Sequence, residues 1–409
     1  MDMETIYRLY FRDVYLFLQG LTRSETLAEE LTQETFFKAL DGLKNFDGKQ
    51  DVRAWLFTVA RNCYYDHCRK AKRAAPLEDA ETKAADTPDI AQLLVDKDAA
   101  FTQTMYRPVL GRDNVASDNF SAGNSTQPLT FTISRVVRHD GSEAPELTDE
   151  FPVRVWKSPY LGTETSLEEI EAKRGYENRS LLQVRKHSGE VILWANARSS
   201  FVKCDPDSGY IFDIRAVNSG GWKEYTGFRL IPKRERDYEP TNMDELTGVI
   251  TEDFVHPLSV QGMYKEGTSG FFGVMNEEDI KVYFRENLEN TSKDNTLTFR
   301  FMTKDYEPIS PRKFSKTDWT NLLHGFDMEM TDDYVRYKVA YPIPLNELPT
   351  RYTNKEGDKA HVVFAYDRLM RGTYRVRASM AFDFAIYKEG HWDIIFVFSG
   401  GNPEFRDNY

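Results

Sequence analysis

Apolar residues recur at helical spacing over roughly the first 75 positions, and beyond Phe101 they alternate with polar ones. In residues 4–20, Ile6, Leu9, Tyr10, Val14, Leu16 and Phe17 fall at helical spacing and Gly20 offers a stop, which predicts a first helix. Thr22 and Ser24 supply N-cap oxygens for a second, and Glu25, Glu29 and Glu30 occupy its opening turns, where the helix dipole favours carboxylates. Its buried stripe reads Leu27, Leu31, Thr35 and Ala39, flanked by Phe36, Leu40 and Leu43. Residues 45–50 have loop chemistry, with Asp47-Gly48 as the turn. After Asp51 a third helix is expected, with Trp55, Leu56, Val59, Ala60 and Cys63 on its apolar face and a basic end.

Residues 76–100 are acidic and alanine-rich, with Pro76 and Pro88 interrupting helix formation. They read as a linker with one short helix at 90–95. The alternation that follows predicts strands at 129–137, 153–156, 181–185, 191–194, 210–217 and 228–230, and again at 281–284, 296–302, 334–341, 361–366, 373–387 and 392–398. His187-Ser188-Gly189 reads as the turn of a hairpin. In the longest run, Tyr374, Val376, Met380, Phe382, Phe384 and Ile386 share one face, and Arg375, Arg377, Ser379 and Asp383 the other. The pattern therefore predicts a multidomain chain: an all-α three-helix region over 1–75, the linker over 76–100, an all-β, sandwich-like (immunoglobulin-like) domain over 101–238, and a second β-rich domain over 239–409.

Composition narrows this picture. A hydrophobic content of 40% with 13% aromatic residues in 409 residues excludes wholesale disorder. A net charge of −12 argues against a protein that coats nucleic acid everywhere, so charge has to be read by segment. Cys63, Cys68 and Cys204 form no disulfide framework. Asp2, Glu4 and Arg8 lie among the first apolar residues, unlike a signal peptide, and no apolar run is long enough to span a membrane. A cytoplasmic chain is expected.

The third helix and its tail carry Arg53, Arg61, Arg69, Lys70, Lys72 and Arg73 against Asp66 alone, a density that can neutralise phosphates. Asn62 can donate and accept at once, as reading a base edge requires. Two segments carry a resemblance: AEELTQETFFKAL at 28–40 and VRAWLFTVARNCYYDHCRKAKR at 52–73. Together they resemble region 2 of an extracytoplasmic-function (ECF) sigma factor, the subunit that directs bacterial RNA polymerase to promoters. The resemblance implies that Glu30, Gln33, Glu34 and Asp41 face the core polymerase. It places Asn62 at the base-reading position for a flipped base of the single-stranded minus-ten element, with the loop 46–50 closing over it. An anti-sigma factor is a further partner of such proteins. Sigma factors of this kind normally continue into a helix-turn-helix region, and here the helical pattern stops at Phe101.

From Phe101 the segments PLTFTISRV, ELTDEFPVRVWKSPY, LLQVRKHSGEVILW and PDSGYIFDIRAVNSGGW resemble SusE-like surface lipoproteins of Bacteroidetes glycan-uptake loci. That resemblance implies an outer-membrane surface location and, as partners, a polysaccharide and a SusC/SusD-type outer-membrane complex. Trp156, Trp194 and Trp222, and also Trp392, are the candidate sugar-stacking residues. No phosphate loop, nucleophile elbow or HExxH motif is present, and neighbouring carboxylates such as Glu168 and Glu169 show no glycosidase pattern, so neither catalysis nor a cofactor is expected. Cys63, His67 and Cys68 fall on one helix side without a fourth ligand, so no metal is expected. Two functions follow. One is a transcription initiation factor fragment carrying a β-rich appendage; the other is a glycan-binding surface protein preceded by a sigma segment joined by gene fusion or sequence assembly.

Overall fold

The computed structural model describes residues 3–22, 24–43, 52–74, 95–96, 98–219, 221–268, 273–370 and 374–405. The loop expected at 45–50 and, apart from Val95, the short helix expected at 90–95 lie outside the described residues. The chain forms two compact units, Met1–Ala99 with Ala122–Pro128 and Asn218–Trp222, and Ala100–Ser121 with Leu129–Val217 and Lys223–Tyr409.

Three helices build the first unit: α1 (Met3–Thr22), α2 (Glu25–Leu43) and α3 (Val52–Ala74). Ile6, Val14 and Leu18 of α1 meet Ala28, Leu31, Phe36 and Ala39 of α2 and Leu56, Ala60 and Cys63 of α3 in one buried core. The apolar face expected for α3 is the one found, with Trp55 and Val59 packed at its margin. Leu9 (57% exposed), Leu16 (52%) and Leu40 (50%) point outward, because the core stripe runs through Leu18 and Ala28 instead. The first helix also runs through Gly20 to Thr22, since one glycine costs only about 1 kcal/mol in a helix and packing outweighs it. Ser24 caps α2 as expected, its Oγ accepting from Leu27 N at 3.4 Å.

The second unit is β-rich. In its first half β1 (Ala100–Phe101) pairs with β4 (Phe120–Ser121). A four-stranded sheet runs in the order β2 (Met105–Tyr106), β11 (Gly221–Leu230), β10 (Tyr210–Asn218) and β5 (Thr130–Arg138). A three-stranded sheet joins β3 (Asn114–Ala116), β9 (Val191–Leu193) and β8 (Leu182–Val184), and β6 (Glu150–Trp156) forms an antiparallel pair with β7 (Arg174–Ser180). The β8 and β9 pair is the hairpin read from His187-Ser188-Gly189. Strand β7 was not expected, because RGYENRS has no apolar alternation and owes its conformation to pairing with β6.

The second half is a two-sheet sandwich. One sheet runs β14 (Lys281–Glu286), β20 (His391–Val397), β15 (Thr296–Met302), β17 (Val335–Val339) and β16 (Gly325–Met330). The other is centred on β19 (Tyr374–Ile386), with β18 (Ala360–Met370) along one edge and β12 (Tyr238–Glu239) and β13 (Ser259–Gln261) sharing the other. Met380, Phe382, Phe384 and Ile386 of β19 point into the core as expected, whereas Tyr374 at the strand's start is 65% exposed, beyond the end of the core. Phe301 and Phe364 meet edge to face at 4.9 Å, as do Phe382 and Phe396 at 5.6 Å. Such pairs add about 0.5–1.5 kcal/mol each to simple burial. Two short helices, α4 (Pro145–Thr148) and α5 (Leu167–Ala172), lie on either side of β6; Ser166 caps α5 by accepting from Glu169 N.

Candidate functional site

The helical unit presents two polar faces. On α2, Glu30 and Gln33 are exposed and Glu34 is half-buried. Glu34 is engaged by Lys38 one turn on, at 2.8 Å, and the same ammonium reaches Asp66 of α3 at 3.5 Å. The hydrogen bond that Lys38 donates to Glu34 pushes the Lys38 pKa upward, so it stays charged. Lys38 thus ties α2 to α3 and engages Asp66, the single acid of the basic helix. Exposed ion pairs of this kind are worth at most about 1 kcal/mol, so the tie sets orientation more than stability. Phe37 is 71% exposed, two turns along α2 from Glu30, and with Leu40 it places apolar surface beside the carboxylates. Sequence reading missed both, because Phe36 and Phe37 are equivalent by composition and only the helix phase separates them.

On α3, Asn62 is exposed and Arg61 half-buried, while Cys63 between them and the core is fully buried. Burial raises the Cys63 thiol, which suits a packing residue. Tyr65 is exposed three residues beyond Asn62 and shares its side of the helix, an aromatic neighbour that the sequence reading did not single out. Phe57 packs edge to face on Phe17 of α1 at 5.0 Å, and Trp55 lies against the core as expected, so both serve packing. Arg53, Arg69, Lys70, Lys72 and Arg73 lie on the helical backbone of α3, and Asp41 on that of α2; their side chains lie outside those described. Among the described residues no group of three or more His, Cys, Asp or Glu is placed to hold a metal ion.

The β-rich unit holds a cleft of about 1780 Å³. One wall is a face of the β6 and β7 pair. Their register sets Arg154 opposite Tyr176 and Trp156 opposite Arg174, and the strand period puts all four on one side while Val153 and Val155 turn inward. Arginines lie over aromatic rings along the cleft: Arg174 over Trp156 at 5.4 Å, Arg154 over Tyr176 at 5.9 Å, Arg179 over Trp194 at 5.3 Å and Arg112 over Tyr387 at 4.2 Å. These contacts orient both partners. Arg174, only 4% exposed, donates to the Tyr341 carbonyl at 2.6 Å and pairs with Glu171. Arg112 pairs with Glu239 at 2.6 Å and donates to the Tyr387 hydroxyl, whose pKa burial pushes up to about 12. Among the described residues, the buried Nε atoms of Arg112 and Arg174 have no hydrogen-bond partner.

The four candidate tryptophans are thereby separated. Trp156 and Trp194 line the cleft, with Trp194 Nε1 donating to Gln183 at 3.0 Å. Trp222 is 60% exposed on β11 and does not line it. Trp392 is a core residue, 3% exposed, with Nε1 donating to the Lys388 carbonyl, which removes it from the sugar-stacking candidates.

Residues 120–407 match the family described as a domain of unknown function, DUF5007. The chain belongs to that family. The cleft therefore lies almost wholly within the DUF5007 part, while residues 6–74 match sigma-70 region 2 and make the first unit a sigma-like segment. Among curated proteins, that segment is similar to the ECF RNA polymerase sigma factor SigM of Bacillus subtilis, 42% identical over 79 residues, which are 19% of this chain and 48% of SigM. It is also similar to the RNA polymerase sigma factor YlaC of the same organism, 35% identical over 69 residues (17% and 40%). With the ECF RNA polymerase sigma factor SigX it shares 30% identity over 67 residues (16% and 34%). The chain spans about half or less of the length of these relatives. Among the described residues no helix is long and apolar enough to cross a membrane.

Proposed function

We propose that the helical unit docks on core RNA polymerase through α2 and contacts the single-stranded minus-ten promoter element through α3, so that the chain acts as a transcription initiation factor fragment carrying a β-rich, non-catalytic appendage. The observation that carries this reading is the pairing of an exposed acidic and apolar face on α2 with an exposed Asn62 on the basic helix α3, in a segment 42% identical to an ECF sigma factor. Glu30, Gln33, Glu34 and Asp41 supply the carboxylates and amide of the docking face. Phe37 supplies the apolar centre that a stable interface needs. Arg53, Arg61, Arg69, Lys70, Lys72 and Arg73 hold phosphates, and Asn62 reads a base that Tyr65 is placed to stack.

The test is co-purification of the full chain with core polymerase, followed by promoter-fragment binding. Glu30→Lys and Phe37→Ala are expected to weaken recovery at least tenfold, and Glu34→Lys less, because Lys38 already engages Glu34. Asn62→Ala should keep polymerase binding and lose minus-ten preference. Polymerase recovery indifferent to both Glu30→Lys and Phe37→Ala sinks the docking model, and unchanged base preference sinks the assignment of Asn62.

A second reading is favoured by the cleft. The DUF5007 part is a saccharide-binding module in which Trp156 and Trp194 stack on sugar rings, serving a SusE-like surface lipoprotein that works with a SusC/SusD-type complex. The location of two of the four candidate tryptophans in one cleft supports it.

A further inference from the structure

The cleft is lined by eight arginines and lysines against four carboxylates, in a chain whose net charge is −12. Most of these cations are already engaged: Arg112, Arg154, Arg174, Arg179, Arg185 and Lys388 each pair with a glutamate. Arg198 and Lys186 differ. Neither has an ion-pair partner among the described residues, and both line the cleft. Arg198 is seated by Gly111, whose φ of +78° is left-handed and where a Cβ would meet Arg198 Nη1 at 2.7 Å. The left-handed φ favours glycine at that position, and the missing side chain leaves the space beside Glu235 that the guanidinium occupies. Glu235 is itself engaged by Ser199, so the Arg198 guanidinium keeps no ion-pair partner among the described residues, inside a concave surface where field lines are focused.

We infer that the cleft binds an acidic oligosaccharide several sugar residues long, with its carboxylates on Arg198 and Lys186 and its ring faces against Trp156 and Trp194. This rests on the reading of the β-rich unit as a saccharide-binding module and adds the charge class of the ligand. Three observations favour it. The volume exceeds the 300–1,000 Å³ or so usual for a small ligand, which fits an oligomer. A guanidinium matches a carboxylate in a bidentate fork, and aromatic faces match sugar rings. Finally, Asp113, Glu347, Asp358 and Glu389 also line the cleft. They accept from the hydroxyls that each sugar ring offers.

The test is calorimetry of the full chain at low and moderate salt. The probes are hexasaccharides of galacturonate, alginate and hyaluronan, the fully methyl-esterified galacturonate hexamer, neutral maltohexaose and cellohexaose, and a dodecamer oligonucleotide. Binding of at least one acidic sugar is expected, weakened at least tenfold by Arg198→Gln with Lys186→Gln at an unchanged melting temperature. For galacturonate, esterification should weaken binding by a similar factor. Silence towards all three acidic sugars with binding of a neutral one overturns the charge assignment and leaves the saccharide reading standing. Silence towards every sugar overturns both, and so does tighter binding of the oligonucleotide. Acidic-sugar binding unaffected by the double substitution overturns the assignment of Arg198 and Lys186.

Discussion

Glu164 shows how a single buried carboxylate is held. Its side chain is fully buried; burial alone would raise its pKa, but Lys173 Nζ at 2.6 Å and the backbone N–H groups of Leu161 and Thr163 outweigh that and bring it to about 2. A carboxylate depressed from 4.5 contributes stability that is fully present above pH 4.5 and is lost as the pH falls towards 2, about 3 kcal/mol in all. Glu164→Gln is therefore expected to destabilise the β-rich unit by about 2–3 kcal/mol at pH 7, and to flatten its acid unfolding between pH 4.5 and 2 when followed by tryptophan fluorescence. An unchanged acid limb would refute the pairing. The same backbone segment accepts from His324 Nε2 at the Glu164 carbonyl, which leaves Nδ1 to accept from Tyr160, and burial lowers the His324 pKa in keeping with a neutral ring. None of this was legible in the sequence, because Glu164 and His324 are 160 positions apart and neither belongs to a motif. Asn62, by contrast, was singled out from the sequence through the sigma resemblance, and the structure shows it exposed, off the apolar face of Leu56 and Cys63.

At the scale of elements, the period of the apolar pattern decided most outcomes. Helices α2 and α3 and strands β15, β19 and β20 lie where the sequence places them, because each has a long amphipathic run that leaves one register. Ser24 is the local signal that starts α2, and Ser24→Ala is expected to lower the stability of the helical unit by about 1 kcal/mol, with Ser24→Gly costing less, measured by far-ultraviolet circular dichroism on heating. Equal loss for both would mean that the Oγ contact is not what holds the helix start. Strands β7 and β16 escaped the pattern. Both take their conformation from a partner strand, so the information lies in β6 and β17, not in their own residues. The cleft wall depends on β7, and so the cleft could not be read from the chain.

At the scale of the whole molecule, the core among the three helices and the core between the two sheets of the sandwich share no residue. Phe382 is 1% exposed in the second, and Phe382→Ala is expected to cost about 3–5 kcal/mol there. Calorimetry of the full chain should show its effect on the β-rich transition alone, and an equal shift of the helical transition would contradict separate cores. By itself the sequence determined the class of each part: a helical period with acidic and basic faces up to residue 74, then β alternation to the C-terminus. Periodicity and capping are local, and a local code suffices for them. Tertiary structure alone decided that Trp392 is core, and that Trp156, Trp194, Arg198 and Lys186 line one cleft. The cleft residues come from β6, from the turn between β8 and β9 and from the segment after β9, and only pairing and packing bring their side chains together.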